Sequence, residues 1–244
     1  MQVELACAKC PVRNLTICGA VDTSASEALR SGGRAYRAGR MIYQDGERTA
    51  DFVTIVEGWA SQRVTTRDGR RQILAFLLPG DHIALDLICF DRLNFSVQAI
   101  TDVVACLCRR DKVASLAACD RHVLERLKER YRFQSLSAQE RIVSLGRRSA
   151  AERIARLFIE MSLRLRARGH RDEGALPFPI RQLDIADALG LTPIHVSRVL
   201  REFRAEGIVD LSRDRLAILD KRTLMEIGGL RDDDLDPGHY GFRR

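Results

Sequence analysis

Five histidines are scattered through the 244 residues, with no spacing that repeats a metal pattern. No Ser/His/Asp set, glycine-rich phosphate loop or pair of carboxylates in a recognisable context accompanies them, so the chain is not expected to be an enzyme. A run of the roughly 18 apolar residues that a membrane-spanning helix needs is also missing. The start, "MQVELACAKC", has no basic stretch leading into a long apolar one, as a secretory signal would. A cytoplasmic address with no membrane partner is therefore expected. In that compartment thiols are kept reduced, so the seven cysteines are read as metal ligands, reactive thiols or small buried hydrophobes rather than disulfides. Acid is in deficit: 33 Asp and Glu face 40 Lys and Arg, a formal charge of +7. That excess favours polyanions through counterion release, nucleic acid before an anionic membrane surface. What remains, 45% hydrophobic and 30% charged residues, is the balance of a globular chain of one large or two modest domains.

Between Asp111 and Gly146 there is no glycine, and between Pro79 and Pro177 no proline. These gaps separate two textures. Before them, 34–110 carries strand-length runs rich in Val, Ile, Thr and aromatics, cut by Gly39, Asp45-Gly46, Glu57-Gly58, Asp68-Gly69 and Pro79-Gly80. Asp68-Gly69 between alternating runs is a hairpin signal, and regular turns between short strands predict an antiparallel sandwich or barrel-like unit. In the glycine-free stretch Leu124, Leu127, Tyr131, Ala138, Ile142 and Leu145 fall at spacings compatible with a heptad seam. One long helix is predicted, its stripe packing on a second copy of the chain or on the chain's own strand domain. Gln134 and Arg141, on or beside the seam, would keep pairing marginal. Ser149 and Glu152 form a capping box that starts a fresh helix running to Gly169. The organisation is α+β: a cysteine-bearing segment (1–20), a strand domain (21–118), a pairing helix (119–147), a compact helix-then-hairpin unit (148–230) and a loosely ordered tail (231–244).

The stretch "IRQLDIADALGLTPIHVSRVLREFRAEG" predicts a helix-turn-helix. Ile185, Ala186 and Leu189 give the first helix an inward face, and Gly190 can take the positive φ of a sharp turn. Thr192 caps the second helix with Pro193 at its first position, and Val196, Val199, Leu200 and Phe203 bury it. "GIVDLSRDRLAILD" reads as a hairpin wing beside it. In such a motif the first turns of the second helix meet base edges, which makes His195, Ser197 and Arg198 the candidates, with Arg198 suited to guanine O6 and N7. Arg201 and Arg204, further along, are expected at phosphate or in solvent.

"CAKCPVRNLTIC" sets Cys7, Cys10 and Cys18 at Cys-x2-Cys-x7-Cys spacing, in a segment otherwise expected to be loose. Thiolates of this kind, with a fourth from elsewhere, can hold an iron-sulfur cluster or zinc.

The order of thiol segment, turn-rich strand domain with "LLPGD", long helix and winged helix-turn-helix resembles the CRP/FNR family of bacterial transcription regulators, and its FNR branch in particular. "CAKCPVR" with Cys18, "DGRRQILAFLLPGD", "QAITDVVAC", "SAAERIARLF" and "ADALGLTPIHVSRVL" carry the resemblance over nearly the whole chain. It implies a jelly-roll-like antiparallel β-roll of the cyclic-nucleotide-binding type, a dimerisation helix, and a homodimer that binds an inverted-repeat DNA operator and works with RNA polymerase. It also implies a [4Fe-4S] cluster that decays in oxygen, held by Cys7, Cys10, Cys18 and Cys106. Cys108 competes for the fourth place, because both strand cysteines face the same way. Cys89 and Cys119 are read as packing thiols. The sister branch's cyclic AMP is disfavoured, since Leu93 and Asn94 stand where that branch has arginine and serine, although Arg92 is one step away. Haem would need His82, a residue expected to be solvated. Ile194 replaces the glutamate usual in the FNR recognition helix, which implies an operator altered at the base pair that glutamate reads.

Overall fold

The computed structural model describes residues 1–83, 85, 92–170 and 174–231; Cys89 and most of the 231–244 tail lie outside them. Contacts divide the chain into two compact units that change over between Tyr131 and Arg132.

In the first unit, β-branched and aromatic runs become strands wherever glycine turns cut them. These are β1 (Arg30–Tyr36), β2 (Met41–Tyr43), β3 (Asp51–Glu57), β4 (Ala60–Thr65), β5 (Arg71–Leu77), β6 (His82–Ile83), β7 (Ser96–Ala99) and β8 (Val103–Arg109). Pairing is antiparallel throughout, in sheets ordered β1-β8-β3-β6 and β2-β7-β4-β5. Inward side chains of both sheets, among them Ile55, Ala60, Leu77, Val97 and Ala105, share one core. This is the expected β-roll.

A second core lies on the outer face of β8 and β3. It joins Ile17, Leu29, Phe52 and Cys108 to Val113 and Ala117 of α2 (Arg110–Cys119) and to Val123 and Leu127 of α3 (Arg121–Arg147). A single helix was expected through this region, but it is broken at Asp120, whose carboxylate accepts the amides of His122 and Val123 at 2.8 and 3.3 Å. Asp120 is thus the cap that starts α3.

The first twenty residues are anchored, not loose. Gln2 bridges Arg34 on the edge of β1, and the Val3 amide bonds the Gly33 carbonyl at 3.0 Å. A Cβ on Gly33 would stand 2.5 Å from the Val3 carbonyl oxygen, so only glycine admits this approach. Three 3-10 turns (Cys7–Lys9, Arg13–Leu15, Ile17–Ala20) follow. Ile17 is buried to 2%, a contribution of about 2 kcal/mol. Arg13 ties the segment to Ser26 of α1 (Thr23–Leu29) at 3.1 Å and to the Val21 carbonyl at 2.5 Å.

The second unit holds the remainder of α3, then α4 (Ala150–Arg166), β9 (Leu176–Pro177), α5 (Gln182–Leu189), α6 (Pro193–Ala205), the hairpin β10 (Val209–Ser212) and β11 (Arg215–Ile218), and α7 (Lys221–Ile227). The Ser149–Glu152 capping box is formed. Ile154, Leu157, Phe158, Met161 and Leu165 line the buried face of α4, and Phe158 meets Phe178 edge to face at 5.4 Å.

Candidate cysteine centre and nucleic-acid interface

Alternation along β8 turns Val103, Ala105 and Leu107 into the sandwich and Cys106 and Cys108 to the other side. There the 3-10 turns bring Cys18 and Cys7 near enough to Cys106 to perturb one another electrostatically. The Cys108 thiol donates to the Cys106 sulfur. That bond, with burial added, holds Cys108 far above the ordinary thiol range, and the same bond draws Cys106 below it. Burial raises Cys18, against the Thr16 hydroxyl, and raises Cys7, against the Arg30 guanidinium beside it. Cys10 is half-buried, its amide on the Cys7 carbonyl at 3.4 Å.

Among the described residues no three His, Cys, Asp or Glu side chains stand in metal-ligand geometry. Cys7, Cys18, Cys106 and Cys108 are gathered without being drawn onto one point. Their chemistry is all-sulfur and suits a soft metal or an iron-sulfur cluster, and Arg30 supplies a cation beside Cys7 and Cys106. Cys119, expected to pack, is exposed at the end of α2 with its thiol on the Ser115 and Leu116 carbonyls.

His82 corrects another expectation. It is buried, not solvated, with Nδ1 2.8 Å from the Thr54 hydroxyl and its ring 4.6 Å from that of Phe52. Burial, with Arg130 nearby, pushes its pKa down to about 3. Leu93 is buried in the sandwich core, and Asn94 and Arg92 are exposed.

In the second unit α5 ends at Gly190, whose φ of 62° is the left-handed turn the motif needs. Thr192 caps α6, its hydroxyl accepting the His195 amide at 3.3 Å. Val196, Val199 and Phe203 are buried and Leu200 is half-buried, which leaves the outer face to Thr192, Ile194, His195, Arg198 and Arg201. Ile194 is 80% exposed at the first turn, and Ser197 is half-buried. Arg204 does not stand free. It bonds Asp210 at 2.7 Å and the Leu211 carbonyl at 2.6 Å, fastening the wing to the recognition helix. Arg153 of α4 donates to the carbonyls of Leu145, Arg148 and Leu189, an unforeseen link between the ends of α3 and α5.

Along α3, Leu124, Tyr131, Ala138 and Ile142 are exposed, as is Val143, which the heptad spacing did not include. Two expected seam residues are placed elsewhere: Leu127 is buried in the first unit's outer core, and Leu145 packs toward Gly190. Arg141 is turned inward to Glu160 at 3.6 Å, so it does not interrupt the stripe, and Gln134 is half-buried.

Residues 33–120 match the model of the cyclic nucleotide-binding domain, and residues 152–227 that of the Crp-like helix-turn-helix domain. The chain is 30% identical over 217 residues to the nitrogen fixation regulation protein FixK of Bradyrhizobium diazoefficiens, covering 88% of this chain and 90% of that one. The chain belongs to the CRP/FNR family of transcription regulators. As a CRP/FNR protein it is a DNA-binding regulator and not an enzyme. It is also 30% identical over 241 residues to the transcriptional activator protein FnrL of Cereibacter sphaeroides, with 95% and 94% of the two chains covered. The structure of FixK2 from Bradyrhizobium japonicum superposes with a TM-score of 0.73 at 28% identity, over 80% of this CRP/FNR chain and 96% of that one. No helix among the described residues is long and apolar enough to cross a membrane.

Proposed function

We propose that this regulator responds to oxygen or redox state through a [4Fe-4S] cluster held by Cys7, Cys10, Cys18 and Cys106, and acts as a homodimer on an inverted-repeat operator. The observation that carries the reading is that Cys7 and Cys18 lie near enough to perturb Cys106, on a strand more than eighty residues further along the chain. The resemblance to FnrL and FixK in sequence supports it. When bound, such a cluster supplies an oxygen-labile inorganic core among the thiolates. Cys106 is the better fourth ligand because it is half-buried and near both Cys7 and Cys18, whereas Cys108 is packed among the apolar side chains of the outer core. Arg30 offsets part of the negative charge that four thiolates gather.

For pairing, Leu124, Tyr131, Ala138 and Ile142, with Val143, offer α3 an apolar face that the monomer leaves in water. Two such copies would set their recognition helices on half-sites about one helical turn, roughly 34 Å, apart. Arg198 reads guanine there, and Ile194 covers a thymine methyl. Leu93, buried where a cyclic phosphate would need a cation, supports an effector other than a cyclic nucleotide.

Anaerobic purification tests the reading. Brown protein is expected, with iron and sulfide that are lost in air together with operator affinity measured by fluorescence anisotropy. Colourless, metal-free anaerobic protein, zinc in place of iron, or unchanged operator affinity after aeration would each defeat it.

A further inference from the structure

Arg204 stands near the end of α6, where phosphate or solvent was expected to meet it. Its guanidinium instead faces β10: Nε and Nη2 donate to Asp210 Oδ1 at 2.8 and 2.7 Å, and Nη2 also donates to the Leu211 carbonyl at 2.6 Å. The two elements are already joined by a tight turn, in which Gly207 takes a φ of 67° and its amide bonds the Arg204 carbonyl at 3.1 Å. A planar fork resting on two consecutive residues of a strand fixes the strand's direction as well as its distance. The side chains of the pair are 58% and 42% exposed, a setting in which an ion pair adds little to stability. Its contribution is to geometry.

The far end of the wing carries a second unusual arginine. Ser212 pairs with Arg215, so the turn between β10 and β11 has two residues, Arg213 and Asp214. Among the described residues Arg213 is the only non-glycine with a positive φ, at 50°. Turns of this length favour glycine, asparagine or aspartate at such a position, and a long side chain in the left-handed region is strained. Its neighbours are engaged: the Asp214 carbonyl accepts the Phe178 amide at 2.7 Å, and Arg215 donates to the Ala175 carbonyl. The Arg213 side chain is exposed and holds no hydrogen bond or ion pair among the described residues. Strain of this kind persists where a residue is used, and an unengaged guanidinium on a hairpin fastened to a DNA-reading helix is suited to a phosphate.

We infer that Arg204 is a positioning residue for DNA binding: through Asp210 and Leu211 it fixes the wing on α6, so that Arg213 at the wing's turn meets a backbone phosphate beside the bases that α6 reads. Arg204 itself then makes no phosphate contact. The role of Asp210 separates this from simple attraction of charge. On electrostatics alone its carboxylate repels a polyanion, whereas as the anchor of Arg204 it favours binding. The two accounts differ in sign. The inference rests on α6 being the reading helix and on nothing about the cysteines.

Fluorescence anisotropy of the full, anaerobically prepared chain tests it, on a labelled duplex that the wild type recovers from random-sequence DNA, across a range of salt. Arg213→Ala should weaken binding about fivefold and lower the salt slope by about one per bound chain. Arg204→Met should weaken binding comparably. Arg213→Ala added to Arg204→Met should cost less than about twofold more, because a wing no longer held has already lost that contact. Asp210→Asn should weaken binding about threefold, although it removes a negative charge. Circular dichroism checks that each variant is folded. The inference is overturned if Arg213→Ala binds as wild type does, if it keeps its full effect in the Arg204→Met background, or if Asp210→Asn binds as tightly as wild type or more tightly. Should Arg204→Met fail to fold, Asp210→Asn decides, since it leaves the bond to the Leu211 carbonyl in place. Each variant is compared with wild type under the same conditions, so the outcome is independent of whether iron is present.

Discussion

Replacing Arg153 with methionine removes one guanidinium from three carbonyls: Arg148 at 2.8 Å, and Leu189 and Leu145 at 2.9 Å. Two of the acceptors close the end of α3 and one closes α5, where unpaired carbonyls concentrate partial negative charge. Methionine keeps the aliphatic packing and removes only the donors. Each bond contributes about 1 kcal/mol net in a half-buried setting, so the loss is about 3 kcal/mol. At an m-value of about 2 kcal/mol/M the urea midpoint of the second unit falls by about 1.5 M. Far-ultraviolet circular dichroism follows that unit through its helices, and Trp59, the single tryptophan, reports the first unit by fluorescence. The circular dichroism transition should move while the Trp59 transition stays. Arg153→Lys, a point cation able to serve one carbonyl at a time, should recover about a third of the loss. A shift below about 0.3 M, or an equal shift of the Trp59 signal, would refute the clamp.

Gly33→Ala should push residues 1–5 off β1 at a cost of about 1 to 3 kcal/mol, read as lost hydrogen-exchange protection of the Ala35 amide, which bonds the Met1 carbonyl at 2.8 Å. His82 is neutral when folded, with its pKa at about 3 against an ordinary 6.5, so the unfolded chain binds the extra proton. Stability should then be fully present above pH 6.5 and fall by up to about 1.4 kcal/mol per pH unit below it, a slope that His82→Gln should flatten in acid unfolding curves. Cys106→Ser should lower anaerobic iron content severely and Cys108→Ser only slightly; equal losses would place both sulfurs on the metal. Binding selection with Ile194→Glu should change the preferred base at one position per half-site, a discrimination of about 1 to 3 kcal/mol, and leave the remaining positions alone.

Elements set by neighbouring residues were legible in the sequence. Asp68-Gly69, the Ser149–Glu152 box and Thr192-Pro193 after Gly190 each specify backbone geometry within a few positions, and each forms as expected. Asp120 carried the same kind of signal for the start of α3, but the lack of glycine and proline on either side of it suggested continuity. Partners distant in sequence were illegible. His82 meets Thr54 across 28 residues, and Arg153 reaches Leu189 across 36. The seam was half visible for a physical reason: Leu124 and Leu127 lie on adjacent faces of a helix, and spacing does not say which face the sheet covers. The cysteine pattern announced the thiols and the resemblance named their companion.

The pairing of Gln2 and Val3 with β1 has a bearing on self-association. β1 is an outer strand of its sheet, and its free side would offer amides and carbonyls to any stray polypeptide. The opening residues occupy that side, so they serve as a guard rail as well as a thiol carrier. Trimming them by a protease, or displacing them with a bulky fusion, would bare a sticky border and invite clumping that has nothing to do with the pairing proposed for α3.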